Sequence, residues 1–159
     1  DYVFSKYLSE EIVKLYEKHV PSIIIRLSNI YGYTRLIRPD LVPTIMQDIF
    51  LKEKVSIWSD LPKRDFIFTE DAADAVLQLL NTEYTGVLNL GTGEMNSIKN
   101  ISKIIENLSG KKITSENKDV SGPLEFIADI SKLKKITGWS PKYTLEQGLT
   151  KTFKIMKNY

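Results

Sequence analysis

Apolar residues recur at Val3, Tyr7, Leu8, Ile12, Leu15 and Tyr16, close to the helical period, and predict a helix over residues 2–19 that Pro21 stops. The period then changes. Residues 22–27, Ser22-Ile23-Ile24-Ile25-Arg26-Leu27, form a mostly β-branched run closed by Ser28-Asn29, which predicts a strand buried on both faces. A helix joined by a short turn to such a strand is half of a parallel α/β repeat. Gly32 and Pro39 punctuate a loop, and residues 41–51 return to a helical pattern, with Pro43 acceptable in the first turn. Short strands are predicted over 55–58 and 65–68, around a turn at 60–63, followed by a helix that Thr69 or Glu70 opens and that runs to Leu80. Residues 86–90 read as a strand and Gly91-Thr92-Gly93 as a turn. Ser97 is the expected N-cap of a helix over 98–108, with Gly110 as its stop. Further on, a strand starts at Ile113, residues 117–123 are loop-like and 124–128 extended. Asp129 or Ser131 caps a helix over 132–136, Gly138-Trp139-Ser140-Pro141 ends it, and residues 145–156 form a last helix. The class is α/β.

Composition narrows the chemistry. A chain of 159 residues, 42% hydrophobic and 26% charged, suffices for one domain with a real core. A net charge of +2 gives no reason to expect nucleic acid or a membrane surface as partner, yet a few placed Arg and Lys suffice for an anionic small molecule. No cysteine is present, which excludes disulfides and thiolate chemistry, and a single histidine excludes a histidine-rich metal site. Apolar runs are too short to span a bilayer and no signal-peptide pattern appears, so the cytosol is the default expectation. The opening Asp1-Tyr2, already helical in pattern and without an initiator Met, suggests a piece of a longer chain.

Tyr2 and Lys6 stand at i and i+4 and so project from one helix face. A free phenol, with a pKa of about 10, is a poor base near neutrality, but a nearby ammonium favours the phenolate. Such a pair can hand a proton to or from a sugar hydroxyl or ketone. Other candidates have plainer readings. Asn29 can end a strand through a side-chain turn, Arg64-Asp65 can be a surface pair, and Asp71 and Asp74 suit a helix start. Trp58 and Trp139 read as packing residues, with base stacking a second reading for Trp58, and His19 reads as a helix-end residue.

Five motifs in order change the weighting. Tyr2-Val3-Phe4-Ser5-Lys6, with Glu10 or Glu11 beyond, is followed by Arg26-Leu27-Ser28-Asn29-Ile30-Tyr31-Gly32. Then come Lys63-Arg64-Asp65-Phe66-Ile67-Phe68-Thr69-Glu70-Asp71-Ala72-Ala73-Asp74-Ala75 and Asn89-Leu90-Gly91-Thr92-Gly93. Ala128-Asp129-Ile130-Ser131-Lys132 and Gly138-Trp139-Ser140-Pro141 close the series. Together they resemble the C-terminal half of the NAD-dependent epimerase/dehydratase family, extended short-chain dehydrogenases acting on sugar nucleotides. The resemblance implies the last part of a doubly wound NAD(P)-binding Rossmann fold plus a small α/β substrate-binding domain. Residues 1–30 and about 55–82 would belong to the former, interleaved with 31–54 and 83–159 of the latter.

The same resemblance implies roles. Tyr2 would be the general acid/base and Lys6 would orient the nicotinamide ribose, with Leu27 and Ser28 beside the cofactor ring. Asn29 would contact the substrate, Arg64 would clamp a diphosphate oxygen, and Leu41 and Val42, near Pro43, would help form the nucleotide pocket. Where many relatives carry a second arginine, the stretch from Lys118 through Ser121 to Pro123 offers only Lys118. Ser59-Asp60-Leu61-Pro62 stands where a glycine-bearing turn is usual. The Gly91-Thr92-Gly93 turn belongs to the substrate side and does not bind NAD. The family's glycine-rich cofactor loop and its upstream Ser/Thr are absent.

The function so implied is NAD- or NADP-dependent modification of a nucleoside diphosphate sugar, C4 epimerisation first, with 4,6-dehydration or 4-keto reduction as alternatives. A homodimer through a bundle that includes the Tyr2 helix is expected. A reading of another class is a non-catalytic sugar-nucleotide-binding module, or a truncated fragment without turnover of its own.

Overall fold

The computed structural model describes residues 1–34, 40–120 and 122–158. Its elements run α1 (Tyr2–Tyr16), β1 (Ile23–Leu27), β2 (Asn29–Tyr31), α2 (Leu41–Leu51), β3 (Val55–Ile57), β4 (Lys63–Arg64), β5 (Phe66–Phe68) and α3 (Thr69–Leu80). There follow β6 (Gly86–Leu90), β7 (Asn96–Ser97), α4 (Ile98–Ser109), β8 (Ile113–Ser115), β9 (Glu125–Phe126), α5 (Ser131–Thr137) and α6 (Leu145–Lys157). Pro39 and Ser121, which the sequence placed in loops, lie outside the described residues.

Pairing is mainly parallel, as the α/β pattern predicts. β1 runs beside β6 from Ile23↔Gly86 to Leu27↔Leu90, β2 beside β5, and β3 beside β8. β4 takes β7 antiparallel and β9 parallel. β1 and β2 are separated by Ser28 alone, yet they pair with different strands. The chain therefore steps sideways at Ser28, where the β1–β6 pair delivers its carboxyl ends and the β2–β5 pair begins; the carboxyl end of a parallel pair is the usual place for a ligand in such sheets.

Apolar packing divides into two clusters. In one, Val42, Ile45, Met46 and Ile49 of α2 meet Val55 and Ile57 of β3, Ile101 and Ile105 of α4, and Leu149 of α6. In the other, Ala72, Ala75 and Leu79 of α3 pack with Leu88 and Leu90 of β6, Ala128, Leu133 of α5 and Trp139. β5 is the seam: Phe66 and Phe68 enter the first cluster and Ile67 the second, because neighbouring strand residues point to opposite faces. The clusters thus group Val55 and Ile57 with α2, and the segments around Leu88 and Leu133 with α3, across the linear ranges read from the sequence.

Several local expectations shift. α1 ends at Tyr16, so His19 lies past the helix, its N–H donating to Tyr16 O at 2.8 Å. β1 is only half buried and Leu27 is exposed; Ile23 and Ile25 pack on the second cluster, while among the described residues α1 contributes no buried side chain above it. Trp58 is 72% exposed instead of core. Trp139 does pack, its Nε1–H donating to Asp74 at 3.0 Å. Asp71, buried, accepts from the backbone N–H groups of Lys142 and Tyr143, a structural role. Asp65, read as half of a surface pair, is fully buried. Among the described residues no helix is long and apolar enough to cross a membrane.

Helix ends follow the capping chemistry. Ser97 accepts from Asn100 N at 3.0 Å, and Gly110 and Gly138 close α4 and α5 with φ of 72° and 69°. Thr144 opens α6 with a capping box, its hydroxyl accepting from Gln147 N while the Gln147 side chain accepts from Thr144 N. Thr144→Ala is expected to cost about 1 kcal/mol, read as a lowered melting temperature with activity retained.

Candidate active site

The site is built around the Ser28 step. On one side the Gly91-Thr92-Gly93 turn follows β6. Its donors point inward at Asp65, whose carboxylate accepts from Thr92 N at 2.9 Å, Thr92 Oγ1 at 2.7 Å and Gly93 N at 3.0 Å. Ala128 N adds a fourth bond at 3.3 Å, and Ser28 Oγ lies 3.5 Å from Oδ1. A Cβ on Gly91 would come within 2.5 Å of Asp65 Oδ2, so the tight approach needs glycine there. The turn has the look of a phosphate-binding loop, but the anion it holds is the chain's own carboxylate.

On the other side opens a cleft of about 660 Å³. It gathers Tyr2 from the start of α1, Ser28 and Asn29 from the step, Leu41, Val42 and Pro43 from the first turn of α2, and Arg64 from β4. Six residues singled out in the sequence, Tyr2, Ser28, Asn29, Leu41, Val42 and Arg64, thus share one space. Asn29 is held there by Asp65, whose carbonyl accepts from both its backbone N–H and its side-chain Nδ2, each at 3.1 Å. Arg64 is fixed through Nη1, which donates to the carbonyls of Lys63 at 2.9 Å and Leu124 at 2.8 Å. That anchors a planar cation on the cleft wall.

α1 carries the Tyr2–Lys6 pair. Lys6 Nζ stands 5.6 Å from the Tyr2 ring centroid, and among the described residues it has no carboxylate partner. Tyr2 lines the cleft while remaining 73% exposed. The helix is tied to β1 by a two-pronged ion pair, Arg26 Nε to Glu10 Oε1 at 2.9 Å and Arg26 Nη2 to Glu10 Oε2 at 2.6 Å. The Arg26 guanidinium holds the Glu10 carboxyl below the usual carboxylate range. Its outward face, with Val3, Phe4, Ile12 and Leu15, is apolar and exposed.

Three of the expected site residues, Lys6, Leu27 and Lys118, are not among those that line the cleft; Lys6 stands beside the Tyr2 ring. Leu27 is exposed at the end of β1 and does not line the cleft. Lys118 pairs with Glu116 and lies over the Trp58 ring, 5.7 Å from its centroid, because its backbone N–H continues the β3–β8 ladder to Trp58 O. Lys118 therefore stands beside Trp58 and Glu116 and not on the wall of the Tyr2 cleft.

The structure also adds residues that sequence reading passed over. Tyr31, Asp40, Phe66 and Ile98 line the same space. Tyr31 is buried, donates to Leu145 O at 3.3 Å, and its phenol is pushed well above its ordinary pKa, first by burial and then by the charge of Asp71. It cannot exchange protons near neutrality. The signal for Tyr31 and Phe66 was their place inside the quoted motifs; Asp40 had none beyond standing before a helix.

A model of the NAD dependent epimerase/dehydratase family matches residues 1–91. A putative UDP-glucose 4-epimerase of Methanocaldococcus jannaschii is 30% identical over 99% of this chain and 53% of its own length. A probable GDP-L-fucose synthase of rice is 31% identical over 64% of this chain and 32% of its own length. Among solved structures, the UDP-glucuronic acid 4-epimerase of Bacillus cereus, in complex with UDP-glucuronic acid and NAD, superposes with a TM-score of 0.82 at 28% identity, covering 94% of this chain and 50% of that one. The chain spans about half the length of the Methanocaldococcus relative, 53%. With more than half of its residues matched by the family model and its fold shared along nearly its whole length, the chain belongs to the NAD dependent epimerase/dehydratase family.

Proposed function

We propose that this chain forms the substrate side of an NAD(P)-dependent enzyme that modifies a nucleoside diphosphate sugar, with epimerisation at C4 as the reaction. The observation that carries the reading is the single cleft in which Tyr2, Asn29, Arg64 and the first turn of α2 meet. Arg64 and the α2 N-terminus suit a diphosphate, one as a planar cation and the other through its positive dipole end. Asn29, held by Asp65, suits the sugar.

The cofactor fits the same corner. A phenol and an ammonium without a carboxylate partner, one turn apart, match a ligand rich in ribose hydroxyls. Tyr2, Lys6 and Ser28 would hold NAD, which supplies a reversible hydride acceptor when bound. Tyr2 then holds or moves the proton at the reacting sugar hydroxyl, and Lys6 orients the ribose and favours the phenolate. Dehydration or keto reduction would use the same pair with further acid/base groups. We further propose that residues 1–30 and the elements packed with α3 complete the cofactor domain, and that the exposed apolar face of α1 pairs with a second copy.

The test is an assay at natural length with NAD and UDP-glucose, dTDP-glucose or GDP-linked sugars, following the sugar by NMR. Arg64→Ala is expected to raise KM for the sugar nucleotide about ten- to a hundredfold with a smaller change in kcat, the loss of one charge-assisted contact. A folded protein that binds sugar nucleotides without turning any over would favour the binding-module reading instead. Names of similar proteins carry both UDP and GDP, so family membership leaves the nucleobase open.

A further inference from the structure

A second cleft, of about 550 Å³, adjoins the first and shares Leu41 and Ile98 with it. Its inner wall is apolar, from Leu41, Ile45 and Ile57, and Trp58 stands at its edge with 72% of its surface exposed. The backbone that carries the indole is held in place although the ring is exposed, and the Lys118 ammonium lies over the ring, 5.7 Å from its centroid. The ladder between β3 and β8 continues past both strands, with Glu116 N donating to Ile57 O at 2.9 Å and Lys118 N to Trp58 O at 2.8 Å.

Glu116 lines the cleft as well. Its Oε1 accepts from Ser56 Oγ at 2.6 Å, and its Oε2 pairs with Lys118 Nζ at 2.5 Å. Those neighbours, Lys118 first, keep its carboxyl below the ordinary range, so it is ionised at neutral pH and offers only acceptors. The other acid in the cleft, Asp48, is paired with Lys52 at 2.9 Å.

We propose that Trp58 and Glu116 bind the nucleobase of the sugar nucleotide and select guanine over the pyrimidines. This rests on the sugar-nucleotide reading above and adds to it the identity of the base. A flat aromatic face accepts any base by stacking and does not discriminate. The carboxylate does. Guanine presents N1–H and the exocyclic amine as adjacent donors, which two carboxylate oxygens can meet as a fork. Uracil and thymine present one N–H between two carbonyl oxygens, and a carboxylate repels both flanks. Cytosine and adenine place an acceptor nitrogen beside their amine, with the same result. Ser56 and Lys118 hold the Glu116 oxygens in position, which would otherwise be lost to side-chain rotation.

The experiment is calorimetric titration of the protein at natural length with GDP, UDP and dTDP. GDP is expected to bind at least about tenfold tighter than UDP, and Glu116→Gln to erase most of that preference. Trp58→Ala is expected to weaken GDP about ten- to a hundredfold and to remove the tryptophan quenching that GDP causes. Circular dichroism establishes that both variants fold. UDP or dTDP binding as tightly as GDP, or an unchanged GDP:UDP ratio in Glu116→Gln, overturns the base assignment alone. A folded wild-type protein that binds none of the three overturns the sugar-nucleotide reading, and the base assignment with it.

Discussion

Tyr2→Phe, made at natural length, is expected to lower kcat by about two to four orders of magnitude while sugar-nucleotide affinity stays near wild type. The substitution removes one hydroxyl from a side chain that is 73% exposed and lines the cleft, so nothing in the fold should notice. What disappears, on the proposed mechanism, is the group that would take and return the proton at the sugar hydroxyl. The phenyl ring still sits under the Lys6 ammonium, which preserves the cation–ring contact. Lys6→Met should fall in between, since it leaves the phenol but removes the charge that favours its ionised form. Steady-state kinetics with calorimetric binding of the sugar nucleotide separates the two effects. Turnover within a few-fold of wild type in Tyr2→Phe would remove Tyr2 from the chemistry.

Asp65→Ala should have the largest effect on stability. The side chain has no exposed surface and accepts from three backbone N–H groups and the Thr92 hydroxyl. Without it those donors are buried with no partner, at a cost of about 3–5 kcal/mol. For a domain of this size that is a drop in melting temperature on the order of 10 °C. Asp65→Asn keeps the shape but turns an NH₂ toward donors, and is expected to lose about half as much. Loss of the turn should also loosen Asn29, because the Asp65 carbonyl holds that residue too. A melting temperature for Asp65→Ala equal to wild type would show that the turn is held by something other than this carboxylate.

Much of the architecture was legible because it is local. The predicted helix over 41–51 and strand over 86–90 coincide with α2 and β6, since each lies between clear punctuation and has an unbroken apolar pattern. Ser97 and Gly110 bound α4 as their side-chain chemistry predicts. β2, β4 and β7 were missed. They are two or three residues long, and partners distant in sequence define them, with no periodicity of their own.

The same division holds at the site. Spacing put Tyr2 and Lys6 on one face, because a helix brings i and i+4 together, but it was the family resemblance that singled the pair out. Family motifs then supplied Asn29 and Arg64, and the fold sets them in one cleft with Tyr2. Lys118 was sought at the diphosphate because it stands in the stretch where many relatives carry a second arginine. Its actual neighbours follow from the register of β8 on β3, which no local pattern specifies. Trp58 looked like core for a similar reason: hydrophobicity gives a residue's preference for burial, and only packing decides whether the space exists.

By itself, then, the amino-acid order determined the class, most helix and strand positions, the family and the placing of Tyr2 and Lys6 on one helix face, all of which depend on short-range spacing. Only the tertiary structure decided that Asp65 faces inward to hold the glycine turn, that Lys118 lies over the Trp58 ring, and that two clefts share Leu41 and Ile98. Those facts depend on which distant segments pair, and pairing is settled by the whole core at once.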